Sequence, residues 1–333
     1  MNNDYTSGEA SVKSGSRNLE KERLQIATPA LGVCSIFLIA MIVQVIISAI
    51  VLSVSPSLAE NAWYQSVIST LPRYLVAMPC SLFFFRLAAA EPPERKKLSP
   101  LVLLGLFAIS FSVSSVCSYL GKWVNILIGF LTGNMPVNDL VVLTGNSPLW
   151  SNLLLLGIVT PIMEEIFYRK LVIDRLRRYG DLPTILISGI GFGLLHGNFY
   201  QFFYAVLLGM LFGYIYLNTG KIRYTIALHM GVNLIGGVYV AEMNKYFDAV
   251  LFAQDPMGAW MQNTGGTLMY LLYMAFLGIM LVGALVAGIL LFIFKRRPFK
   301  KSSQPLTRRE WVSVFWLNPA IWIFLVMALL LFL

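Results

Sequence analysis

Pro161-Ile162-Met163-Glu164-Glu165-Ile166-Phe167-Tyr168-Arg169 sits inside an otherwise apolar run over 149–174. A run of that length can cross a bilayer, for which about 20 mostly apolar residues suffice. Charges inside it are costly, about 2.5–3.5 kcal/mol each at mid-bilayer, so they are usually functional. Glu165 and Arg169 stand four residues apart in the order that favours an intrahelical ion pair. Glu164 is turned about 100° from its neighbour on the helix, so the two carboxylates cannot share one role. The division expected is that Arg169 neutralises and orients Glu165, leaving Glu164 free toward a cavity as a general base.

The same length rule marks further spans at 30–54, 63–89, 99–120, 183–197, 198–218, 222–241, 267–294 and 312–333. The fold class is therefore all-α, a polytopic transmembrane bundle of about 8–9 spans. Composition agrees. Of 333 residues, 57% are hydrophobic and 12% charged, half the roughly 25% charged residues of soluble domains. Between 183 and 218 no polar loop separates the two candidates, so a kinked pair turning near Gly197-Asn198 is expected. Arg86 reads as a snorkelling residue near a span end. Arg73, after Pro72 inside the second span, either lines a cavity or marks a helix break.

The net charge of +9 does not indicate nucleic acid, because the basic residues fall in short runs between apolar stretches. They cluster in the N-terminal tail, at Arg95-Lys96-Lys97, at Arg175/Arg177/Arg178, at Lys221/Arg223 and at Lys295-Arg296-Arg297. The alternate connections hold only Lys122 and Lys245. By the positive-inside rule this alternation predicts a cytoplasmic N-terminus. Residues 1–28 are too polar for a signal peptide and read as a cytoplasmic tail before a retained first helix. Residues 121–148 read as a short amphipathic helix and loop on the outer surface, and 243–265 as interfacial. The spacing of Cys34, Cys80 and Cys117 fits no disulfide framework or Cys-rich zinc site. The bland expectation is three small buried hydrophobes.

The only two histidines also fall in predicted spans. Gly191-Phe192-Gly193-Leu194-Leu195-His196 ends one, and His229-Met230-Gly231-Val232-Asn233 places His229 and Asn233 one turn apart on one face. Counted from the cytoplasmic ends at 1.5 Å per residue, Glu164 lies about 15 Å deep, His196 about 20 Å and His229–Asn233 about 10–17 Å. All four can therefore meet in one layer. Gly189, Gly193 and Gly197, with Gly209 and Gly213, recur every four positions, a spacing that lets membrane helices approach closely. Each polar residue alone could be interhelical glue. Their concentration in one 70-residue stretch argues for a site.

In this order on successive membrane helices, Glu164-Glu165-x-x-x-Arg169, Phe192-x-x-x-His196 and His229-x-x-x-Asn233 resemble the three motifs of the CAAX-protease and bacteriocin-processing (Abi-type) intramembrane endopeptidases. The resemblance covers roughly 148–240. It implies a CAAX-protease-like catalytic core at 148–242, between N-terminal transmembrane helices at 29–147 and C-terminal ones at 243–333. The implied activity is hydrolysis of a peptide bond. Glu164 with His196 would activate water, His229 with Asn233 would stabilise the oxyanion, and Glu165 with Arg169 would support the helix geometry. No Ser or Cys stands out as an activated nucleophile, which also favours water.

Two alternatives accompany that reading. Glu164, His196 and His229 could bind zinc with an open position, although the HExxH spacing is absent and Asn233 suits an oxyanion better than a metal. A metal-free site is the expectation, and zinc the alternative. The same fold could instead serve a non-catalytic immunity or scaffold protein, or a proton-coupled transporter. The transporter is disfavoured because no inverted repeat is evident. The partners expected are a membrane-associated peptide or protein substrate and the lipid bilayer, with no nucleic acid. The location expected is a bacterial plasma membrane.

Overall fold

The computed structural model describes residues 18–294, 299–302 and 305–332. The Lys295-Arg296-Arg297 run and residues 1–17 of the tail lie outside them. Among the described residues every regular element is helical. Seven helices are long and apolar enough to cross a membrane: Leu19–Val54, Ala62–Phe85, Pro100–Thr132, Leu149–Tyr179, Phe199–Thr219, Ile222–Tyr246 and Thr264–Ile293. Arg308–Trp316 and Pro319–Leu330, bent by 58°, meet the same length and composition together, so the spans number seven, or eight with this pair taken as one. Asp181–Leu194 is also apolar. Its 14 residues reach only about 21 Å against a hydrocarbon core of about 30 Å.

The packing is that of a protein dissolved in lipid. Ile279, Val282 and Leu285 on the Thr264–Ile293 helix are all more than 60% exposed, whereas Glu165 and Arg169 are completely buried. A continuous apolar exterior of this kind is unsustainable in water and natural in a bilayer. The chain is an integral membrane protein.

Three boundaries differ from the sequence reading, each for a local reason. The first helix begins at Leu19, inside the stretch assigned to a tail, because Asn18 caps it by accepting from the Lys21 amide and Glu20 and Glu22 favour its positive end. Its polar first turns are tied down. The Tyr179 hydroxyl donates to Glu22 Oε2 at 2.7 Å, and Gln25 Nε2 donates to the carbonyls of Ala89 and Arg175. Arg23 bonds Ser313, and Asn318 bonds the Arg23 carbonyl, so the bent C-terminal pair docks on the first helix.

The third span runs on to Thr132 rather than ending near 120. No breaker intervenes before Gly133, which adopts φ +75° at the C-cap. Only Asp139–Asn146 forms a separate short helix in the connection. Finally, Asp181–Leu194 stops before His196, which lies in the turn closed by Gly197 at φ +64° and by Asn198, the cap of Phe199–Thr219. The kinked pair is therefore present, but His196 belongs to its turn.

The glycines at this pair are needed for close approach. A Cβ on Gly193 would lie 2.9 Å from the Phe202 carbonyl oxygen, and one on Gly189 2.9 Å from the Met210 amide nitrogen. The two helices thus meet backbone to backbone. None of the three cysteines is fully buried or paired: Cys34 and Cys117 are partly buried and Cys80 is exposed.

Candidate active site

The helix Leu149–Tyr179 is not regular along its length. It widens into π-helical turns at Asn152–Val159 and Ile166–Ile173, and the α-helical Thr160–Glu165 between them carries both glutamates. The neighbouring site helix widens at Asn233–Tyr239 and the second helix at Pro72–Ala77. Such wide turns concentrate at functional sites. Here four of the five among the described residues fall at Asn233, beside the glutamates and at Arg73, and the fifth, Val312–Trp316, lies in the C-terminal pair.

Glu165 is held from both sides. Arg169 grips it bidentately, Nε to Oε2 at 2.7 Å and Nη2 to Oε1 at 3.2 Å. The same guanidinium donates to the Gly209 carbonyl at 3.2 Å and to Ser188 Oγ at 3.4 Å. One buried pair thus joins three helices. His229 Nδ1 lies 3.2 Å from Glu165 Oε1. With a carboxylate already claimed by Arg169 facing it, Nδ1 is assigned the hydrogen.

Glu164 has a different environment. It lines a cavity of about 650 Å³ together with His196, His229 and Asn233. The Tyr74 hydroxyl donates to its Oε1 at 3.2 Å, and His229 Nε2 stands 3.8 Å from its Oε2. His196 turns Nδ1 to the Phe192 carbonyl at 2.8 Å, which leaves Nε2 as the free ring atom. Its position in the turn is held by Asn198, whose amide donates to the His196 carbonyl at 2.8 Å. Phe192 packs edge-on against both histidines, with ring centroids 4.9 Å and 5.8 Å away. Asn233 Nδ2 donates to the Leu156 carbonyl at 3.0 Å, inside the first wide turn. That bond uses one amide hydrogen and leaves the other.

The four residues singled out in the sequence therefore line one cavity, and the supporting pair lies directly behind it. Arg73, given two readings in the sequence, meets both: it lines the cavity and lies in the wide turn Pro72–Ala77. Two contributors were missed. Tyr74 comes from the same second helix, outside the motif-bearing segment, and its place beside Arg73 and Pro72 within an apolar run was the available signal. The other is Leu331, which lines the cavity and approaches Gly197. Nothing in the apolar C-terminal sequence distinguishes it.

Among the described residues, no three His, Cys, Asp or Glu side chains are arranged to hold a metal ion.

Residues 146–235 match the family model described as type II CAAX prenyl endopeptidase Rce1-like. That segment contains Glu164, Glu165, Arg169, His196, His229 and Asn233, and the resemblance seen in the three motifs is borne out over it. The match supports a CAAX-type intramembrane peptidase at the level of the family. The chain is also similar to UPF0177 protein YxdF of Lactococcus lactis subsp. lactis (strain IL1403), 24% identical over 122 residues. Those residues are 36% of this chain and 66%, just under two thirds, of the relative. No solved structure matches significantly.

Proposed function

We propose that the cavity hydrolyses a peptide bond of a membrane-associated protein or peptide, with water as the nucleophile. The observation that carries this is that Glu164, His196, His229 and Asn233 line one cavity within a bundle of apolar helices. Glu164 takes a proton from water as the oxygen attacks the carbonyl carbon. His196 Nε2, the free atom of a ring fixed through Nδ1, accepts a hydrogen bond from that water and orients it. The remaining amide hydrogen of Asn233, with His229 beside it, faces the oxyanion that develops. Glu164 then returns the proton to the departing amine, and the bond between carbon and nitrogen breaks. Glu165 and Arg169 touch neither water nor peptide. They hold His229 and the helix in place.

No step passes through a metal in this scheme, and cleavage is expected to persist in 1,10-phenanthroline. The peptidase reading is tested by comparing peptide termini in membranes from cells carrying the wild type and Glu164→Gln. New termini should appear only with the wild type. Identical termini in both would remove Glu164 from the chemistry and favour a scaffold role.

A further inference from the structure

Arg73 and Arg169 both lie in membrane-crossing helices, and Arg169 has a buried carboxylate counter-ion. Arg73 lines the same cavity as Glu164. Its Nε is buried without a hydrogen-bond partner. Among the described residues no carboxylate lies within ion-pair distance of it. Its guanidinium carbon stands 5.2 Å over the ring of Phe37. A guanidinium cannot discharge by losing its proton. A cation–π contact offsets only part of the cost of taking an ion out of water. Such a charge, held in a cavity and aimed into it, is matched when an anion enters.

We propose that Arg73 anchors the substrate by binding a carboxylate of the peptide. This rests on the peptidase reading and names a recognition element for it. Arg73 adjoins Tyr74, and Tyr74 touches Glu164. An anion on Arg73 therefore lies a short length of peptide from the bond above Glu164. The carboxylate recognised sits close to the point of cleavage, and the planar fork of an arginine suits its two oxygens. It is supplied by a free C-terminus or by an acidic side chain, and the experiment separates these.

Three lipid-anchored peptide pools of random sequence serve as probes. One has a free C-terminal acid and no Asp or Glu, one is the corresponding carboxamide, and one is the carboxamide carrying a single Asp or Glu. Binding is read by fluorescence anisotropy to full-length Glu164→Gln protein in nanodiscs. Adding Arg73→Gln or Arg73→Lys in the same background cancels any effect of the first substitution. One of the two acidic pools should bind at least tenfold tighter than the neutral carboxamide, and Arg73→Gln should erase that advantage while leaving carboxamide binding unchanged. Arg73→Lys should keep part of it, and this variant decides the matter if Arg73→Gln does not fold. Failure of the wild-type Arg73 protein to distinguish the pools, or to bind any of them, overturns the proposal. So does an advantage that survives Arg73→Gln, or equal weakening toward all pools, which would mark Arg73 as a structural counter-charge. Carboxylate-dependent binding without cleavage by the unsubstituted protein would instead sink the peptidase reading and leave the anchor standing.

Discussion

Glu164 and Glu165 are neighbours in one helix turn and share the His229 ring, yet the rest of their surroundings differ. The Glu165 side chain is wholly buried, gripped by Arg169 and contacted by His229. Glu164 keeps 18% of its side chain accessible, opens onto the cavity and receives one hydrogen bond, from a tyrosine. The lesson is that the 100° between successive residues on a helix can separate a structural charge from a reactive one. The pair reads as one feature in the sequence and acts as two in the fold.

The largest effect expected from breaking this division is at Glu164. Glu164→Gln preserves shape and removes the base, and should lower peptide cleavage about 10²–10⁴-fold with an unchanged thermal transition. Arg169→Ala strands the Glu165 carboxylate without its partner. It should cost about 3–5 kcal/mol of stability, read as early loss of the folded species in detergent. Asn233→Ala removes a donor from the oxyanion side and should lower kcat about 10²–10³-fold with little change in KM. The smallest effect belongs to Gly193→Ala, where the added methyl meets backbone that cannot retreat. A loss of about 1–3 kcal/mol should appear in thermal unfolding and activity should fall only as folded protein is lost.

The sequence made part of this division legible. The spacing of Glu165 and Arg169 is a local property of a helix, so their ion pair could be read directly. Helix–helix contacts are not local. His229 was paired with Asn233 because both occupy one face, and the structure adds that its ring stands against both glutamates from another helix. Tyr74 lies 90 residues from Glu164 in the chain, and no periodicity connects them. The spans were legible because lipid imposes length and apolarity on each one. Their ends were less so, because caps such as Asn18 and Gly133 decide them, and a polar first turn at 18–25 resembles a tail until its partners are known.

The wide turn before Glu164 has a further consequence. An i→i+5 ring takes in one residue more than the i→i+4 ring of an ordinary helix. The carbonyl of Leu156 lies in that stretch and receives the Asn233 amide. Shortening Asn152–Val159 by one residue would let ordinary helix replace the bulge while the flanking segments kept their phase. Glu164 and its neighbours would retain their facing, and the acceptor that orients Asn233 would be lost. Architecture and aim are therefore separable in this helix, and a single deletion is the tool that would part them.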